Sequence, residues 1–201
     1  MENKNNIKNK NNLKDYLVIS ALGLVLFSSI GYGEIMGVAN ADIQISNERS
    51  AGEIVDDATI KSLIKTKLAE NGLFTNVGVK VIDGRVLLTG KVKSPLDKLE
   101  AIKIAWVQSG VKEVNSEIVV TNNTSSSAAQ ISKDSWITSE VKSKLLVTPN
   151  IKSVNYSFET IDGVVYILGI AQSQDELNKV IEIARKIGGV NKVINYVRIS
   201  K

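Results

Sequence analysis

The chain offers few residues for acid–base, nucleophilic or metal chemistry. It contains no histidine and no cysteine among its 201 residues, which removes histidine bases, thiolate nucleophiles, Cys/His metal sites and disulfides. The adjacent carboxylates of Asp56 and Asp57 could pair an acid with a base. They begin a predicted helix, however, where acidic side chains cap the helix and complement its dipole. We therefore expect no enzymatic activity, no cofactor and no metal site.

A tryptophan and several lysines share a predicted amphipathic helix. Trp136 lies one position before an apolar stripe with i, i+4, i+8 spacing, formed by Ile137, Val141 and Leu145. The indole should lie at the edge of this stripe, close to lysines of the same helix, namely Lys133, Lys142 and Lys144. A tryptophan with lysine neighbours suits the headgroup region of a phospholipid surface. Packing against its own module or the other one is the alternative.

The charge of the chain is moderate and unevenly distributed. A net charge of +4 with 23% charged residues falls short of the dense basic stripes of nucleic-acid-binding proteins. The sequence also lacks a Gly-x-x-Gly loop that could clamp a nucleic-acid backbone. From Ile131 onward Lys and Arg outnumber Asp and Glu, whereas residues 42–121 are balanced. We expect no nucleic-acid partner, and any attraction to an anionic surface should come from the C-terminal part.

The N-terminal segment has the pattern of an export signal. Lysines among asparagines occupy residues 1–14, and an uncharged, largely apolar run follows over residues 16–33. Ala39-Asn40-Ala41 then supplies the small residues that signal peptidase accepts. We predict that residues 1–41 are a signal peptide cleaved before Asp42. An uncleaved anchor is the alternative, and the chain is not expected to be a lipoprotein because it has no cysteine to acylate.

The remainder of the chain is an internal duplication. Residues 57–62 match residues 134–139 at an offset of 77, and Ile82-Asp83-Gly84 matches Ile161-Asp162-Gly163 at an offset of 79. The second offset continues to a Gly-Val-x-x-Val sequence in each copy, at residues 110–114 and 189–193. Such ordered matching indicates two copies of one structural unit.

Each copy predicts the same order of elements. A first helix, with Asp57 or Asp134 as its N-cap, precedes a β-hairpin that turns at Asp-Gly. A second helix begins at Pro95 or Ser173, and a last apolar segment returns to the sheet as a crossover strand. The predicted fold class is α+β, with two tandem αββαβ modules, each a three-stranded mixed sheet packed by two helices.

The module boundaries follow from composition. We place the modules at residues 55–121 and 132–201, joined by a polar linker over residues 122–131, and we expect residues 42–54 to be disordered or extended. Modules of about 70 residues bury limited cores, so the two should pack together. Trp106 aligns with Arg185 of the second copy, which predicts an outward position that could line a contact between modules.

This combination of features resembles the BON family, named for bacterial OsmY and nodulation proteins. The likeness rests on the Asp-Gly hairpins, on Gly90 and Gly169 at the ends of the second strands, and on Gly-Val-x-x-Val after an alanine-containing helix. The resemblance implies a periplasmic protein that supports the cell envelope under stress, without enzymatic activity. In lipid-binding members the first helix of the second module contacts the membrane.

Two functions remain open at this point. The first is peripheral binding to anionic phospholipid through the first helix of the second module, with Lys133, Trp136, Lys142 and Lys144 as the lipid-contacting residues. The alternative is a periplasmic protein-interaction or chaperone-like stress module, with an envelope protein as partner and no lipid contact. We assign no chemistry to the repeated glycines Gly84, Gly163, Gly90 and Gly169, because tight turns and close backbone approach explain them.

Overall fold

The computed structural model describes residues 50–200. The predicted signal peptide and residues 42–49 lie outside the described residues. The first module contains α1 (Ala51–Glu70), β1 (Val77–Ile82), β2 (Arg85–Val92), α2 (Pro95–Trp106) and β3 (Glu113–Val120). The second contains α3 (Ala128–Val147), a short 3₁₀ helix (Ser153–Asn155), β4 (Tyr156–Ile161), β5 (Val164–Ala171), α4 (Gln174–Arg185) and β6 (Lys192–Ile199). The predicted α+β fold of two αββαβ modules is confirmed.

The first helix of each module begins earlier than predicted. Ser50 caps α1 in a capping box with Glu53, and Ser127 caps α3. Asp57 and Asp134 lie within these helices, so their assignment as N-caps is wrong. The serine hydroxyls cap equally well, and no proline interrupts the turns that lead up to the aspartates, while the one glycine there, Gly52, is tolerated in the first turn of α1. Helix therefore extends into parts of the segments expected to be extended or linker, from Ala51 in one case and from Ala128 in the other.

Each sheet has one antiparallel and one parallel pair of strands. The order is β1-β2-β3 in the first module and β4-β5-β6 in the second, with the hairpin antiparallel and the crossover strand parallel to the middle strand. Both hairpins turn through Asp-Gly with positive φ at both positions, 53° and 67° in the first copy. These angles are those of a type I′ turn, which matches the strand twist and which aspartate and glycine tolerate.

The second helices begin where the sequence predicts. Ser94 caps α2 in a capping box with Asp97, and Pro95 occupies the first turn. Ser173 caps α4 by accepting a hydrogen bond from the backbone of Glu176 at 3.1 Å. Proline suits the first turn of a helix for two reasons. Its fixed φ is close to the helical value, and the backbone N–H that it lacks would have no partner within the helix there.

Side chains of the middle strands point alternately to the two faces of each sheet, and both faces are buried. Val86 and Leu88 of β2 pack against α1 and α2 in the first core, whereas Leu87 points to the other face of the sheet. There it meets Tyr166 and Leu168 of β5, which point away from the core of the second module. The modules thus pack sheet against sheet, with helices α1 and α2 on one outer side and α3 and α4 on the other.

A buried arginine joins the two sheets. Arg85 donates hydrogen bonds to the backbone carbonyls of Gly169 (3.2 Å) and Tyr196 (2.6 Å) across the contact, and to the carboxylate of Glu113 (3.2 Å) in its own module. Burial lowers the pKa of this guanidinium, and Glu113 partly opposes that change. Trp106 does not line this contact, because α2 packs on the opposite face of its sheet. Its predicted outward position is confirmed, since it is half exposed.

Candidate membrane-binding surface

A buried carboxylate fixes α3 on its sheet. Asp134 accepts hydrogen bonds from the backbone N–H groups of Asp162 and Gly163, both at 2.9 Å, at the hairpin turn. Asp57 makes the same pair of bonds to Asp83 and Gly84 in the first module, at 2.7 and 2.8 Å. Hydrogen bonds to an ionised acceptor are stronger than neutral ones. The rotation of α3 about its axis is therefore set by the aspartate that lies two positions before Trp136.

The outer face of α3 carries three large exposed apolar side chains. Trp136, Leu146 and Val147 are 53%, 75% and 77% exposed, and they lie opposite the buried stripe of Ile137, Val141 and Leu145. At roughly 100° per residue, Trp136 and Val147 lie within about 20° of each other around the axis and three turns apart. Ser139, Glu140 and Ser143 lie between them on this face, and the carboxylate of Glu140 lies 3.6 Å from Lys144. We call Trp136, Leu146 and Val147 the α3 outer face.

The predicted lysines lie on two different sides of this face. Lys133 and Lys144 are exposed and flank the α3 outer face within about 80° of Trp136. Lys144 lies 3.6 Å from Glu140, and the stem of Lys133 covers Gly189, where an added Cβ would lie 2.7 Å from its Cε. Lys133 lies less than one turn from Trp136 along the helix, whereas Lys144 lies about two turns away.

Lys142 occupies the opposite flank, about 120° from Trp136. It faces the lysines of the first module, where burial lowers the pKa of Lys61 and the charges of Lys80, Lys65 and Lys142 lower it further. The sequence predicts that Lys142 lies within reach of the indole. In the structure its exposed side chain lies on the flank of α3 that faces Lys61 of the first module.

The first module provides an internal comparison for the α3 outer face. At the offset of 77, the counterparts of Trp136, Leu146 and Val147 on α1 are Thr59, Ala69 and Glu70. Both helices keep the same buried stripe, so the fold does not require the three apolar residues. Leu146 and Val147 were not among the predicted site residues, although the alignment of the two copies carries the signal.

The cleft between the modules is polar and partly neutralised. It measures about 770 Å³ and is lined by residues of α1, β1, β2, α3 and β4. Lys80 and Lys91 point into it but pair with Glu159 and Asp162, each at 2.5 Å. Within residues 50–200 no cluster of acidic side chains is arranged to hold a metal ion. In the same range, no helix combines the length and apolar character needed to cross a bilayer.

Comparison with known proteins places the chain in a family. The chain is 47% identical to an uncharacterised protein of Anaplasma centrale over 72% of its length and 95% of the relative. It is 32% identical to outer membrane lipoprotein DolP of Haemophilus influenzae over 86% of the chain and 90% of the relative. With osmotically-inducible protein Y of Escherichia coli it shares 31% identity over 87% of the chain and 92% of the relative. The BON domain family model matches residues 56–122 and 133–201. The chain therefore belongs to the BON domain family and carries two copies of the domain.

Proposed function

We propose that this protein is a non-enzymatic component of the periplasm that binds anionic phospholipid surfaces through α3 of its second BON domain. The observation that carries the proposal is the α3 outer face, with Trp136, Leu146 and Val147 exposed and with Lys133 and Lys144 beside them. In this proposal the domain supports envelope integrity by docking at a membrane surface, and Lys142 acts only through its charge.

The physical chemistry of the face suits a membrane interface. An indole has an apolar body and a polar N–H, which favours the headgroup level, and the two aliphatic side chains would reach the acyl boundary. Each lysine near an anionic membrane contributes about 1 kcal/mol, and lysine stems extend their charges towards the headgroups. Ser139 and Ser143 between the apolar residues add no charge that must lose its hydration, and the carboxylate of Glu140 is paired with Lys144.

The named relatives support a place in the cell envelope. One is an outer membrane lipoprotein and another is osmotically inducible, which agrees with a stress-related role at a membrane. The relatives' names do not specify a lipid or a helix, so the proposal for α3 depends on the geometry of this chain alone.

Co-sedimentation with vesicles tests the proposal. The purified protein should pellet with phosphatidylglycerol vesicles at low salt and much less with phosphatidylcholine vesicles. The variant Trp136→Thr/Leu146→Ala/Val147→Glu, which carries the residues of α1 at these positions, should lose at least about tenfold in partitioning, because burial of each large apolar side chain contributes about 1.5 kcal/mol or more.

The matched control is Leu63→Glu. Leu63 is exposed on α1, and its counterpart on α3 is Glu140. This variant therefore gives α1 the residue of α3, whereas the triple variant gives α3 the residues of α1. It should bind vesicles almost like the parent. Equal binding of the triple variant and the parent would refute the assignment to α3. Absence of binding to any vesicle would favour the protein-interaction alternative.

A further inference from the structure

An apolar stripe covers the outward side of α2 in the first module. Leu96, Leu99, Trp106 and Val107 each expose between 50% and 75% of their surface, and Lys103 lies among them. The opposite side of α2 is buried through Ala101, Ile104 and Ala105. We call the four exposed apolar residues the α2 stripe.

The BON fold does not require this stripe. At the offset of 79, the counterparts on α4 are charged or polar, namely Asp175, Asn178, Arg185 and Lys186. Both helices bury the same side against their sheets, so the difference is confined to the surface. Four large apolar side chains on one short helix form the kind of exposed patch that marks an interaction site.

The layers of the fold separate the α2 stripe from the α3 outer face. Helices α1 and α2 cover one outer side and α3 and α4 the other, with the two sheets between them. Trp106 therefore lies on a different helix and in a different module from Trp136. The α2 stripe is thus a second exposed apolar surface, separate from the α3 outer face.

We propose that the α2 stripe is a self-association surface, on which a second copy of this chain docks its own α2 in antiparallel orientation about a two-fold axis. The charges on the helix fit this arrangement. Glu100 and Lys103 lie 3.7 Å apart within one chain. One antiparallel register places Glu100 opposite the partner's Lys103. Because a two-fold contact is reciprocal, the same register places Lys103 opposite the partner's Glu100.

The apolar residues fit the same register. Leu96 then lies opposite the partner's Val107, and Leu99 and Trp106 fill the space beside these pairs. A parallel pair would instead place Lys103 beside its own copy, where like charges repel. The helix has 12 residues and is about 18 Å long, so the contact is small and the dimer should dissociate on dilution.

Sedimentation analysis of the purified protein in the absence of lipid tests the proposal. The parent should show a reversible, concentration-dependent dimer. The variant Leu96→Asp/Leu99→Asn/Trp106→Arg/Val107→Lys, which carries the α4 residues, should remain monomeric with unchanged circular dichroism, because these side chains are exposed in the folded chain.

Charge reversal tests the register. Glu100→Lys or Lys103→Glu alone should weaken the dimer at least about tenfold, because each puts two like-charged pairs across the contact. The double variant Glu100→Lys/Lys103→Glu should restore it, since the reversed charges again meet their opposites. A parent that is monomeric at every concentration would overturn the proposal. A dimer that survives the α4 substitutions, or whose double charge variant does not recover, would overturn it as well.

Discussion

Single residues fix the surfaces of this protein through buried polar contacts. Asp134 and Asp57 each tie a helix to a hairpin turn with two charge-assisted hydrogen bonds. Both aspartates are recognisable from the repeat, but the prediction that they are N-caps is wrong. Sequence alone does not show where a helix begins when serine and aspartate compete as caps. It also does not show that a carboxylate is buried against a turn more than 25 residues away.

Replacement of Asp134 tests this role at the scale of one residue. Asp134→Ala should lower the free energy of unfolding by about 3 kcal/mol, because it leaves the backbone N–H groups of Asp162 and Gly163 without their acceptor in a buried place. Urea unfolding followed by circular dichroism measures the change. Ser135→Ala, at the neighbouring exposed position, should stay within about 0.5 kcal/mol of the parent. A comparable small loss for Asp134→Ala would contradict the role.

The carboxylate of Glu113 gives the stability of the protein a pH dependence. Glu113 accepts hydrogen bonds from Asn115, Arg85 and Arg198. The Asn115 hydrogen bond and the two guanidinium groups lower the pKa of Glu113 from its usual 4.5, against an opposing effect of burial. A lowered pKa in the folded state stabilises the fold above pH 4.5, and this contribution is lost as the pH falls through the folded-state pKa.

Glu113→Gln should therefore flatten the acid side of the stability profile. Denaturant unfolding at a series of pH values from neutral to acidic measures the slope, which should be smaller in the variant below pH 4.5. Parallel profiles for the variant and the parent would show that Glu113 contributes nothing to the dependence.

At the scale of the element, features shared by the two copies belong to the fold, and features of one copy alone are candidates for function. The buried stripe of α3, the hairpins and the second-helix caps were predictable because periodicity and turn chemistry are local properties of the sequence. The α3 outer face was only partly predictable. Trp136 was identified, but Leu146 and Val147 follow directly after the buried Leu145, so their run of apolar letters conceals which ones face outward.

The lysines of α3 should differ in their effect on vesicle binding. Lys133→Ala and Lys144→Ala should each weaken partitioning to anionic vesicles about fivefold at low salt, the equivalent of about 1 kcal/mol per lysine near the membrane. Lys142→Ala should have a smaller effect because its side chain leaves the helix on the other flank. Lys179→Ala on α4 is the control, since its exposed lysine lies on a different helix. Equal losses at all four positions would indicate a general charge effect and no oriented face.

At the scale of the whole molecule, the two modules share a core. Leu87, Tyr166 and Leu168 are buried only because the sheets meet, and Arg85 crosses the same contact. The expected packing of two small modules is what the structure shows. The sequence could not predict which sheet faces would meet. The middle strands are apolar on both faces, and such a run does not show what each face packs against.

The shared core predicts one cooperative unfolding transition for both modules. Leu87→Ala should lower the free energy of unfolding by about 3 kcal/mol through loss of apolar burial and creation of a cavity, and it should shift the unfolding of both modules together. Tyrosine fluorescence from the second module and the Trp106 signal from the first provide separate probes once Trp136 is replaced by Phe. Two transitions, with only one displaced by the substitution, would show that the modules fold independently.

The α3 outer face is proposed to enter a phospholipid interface. Replacement of Trp106 by Phe leaves Trp136 as the one tryptophan of the chain, so its emission reports on this face alone. Titration with phosphatidylglycerol vesicles should shift the emission to shorter wavelength, brominated lipid should quench it, and high salt should reverse both effects. Unchanged emission and no quenching, even while the protein pellets with the vesicles, would show that the membrane contact lies elsewhere.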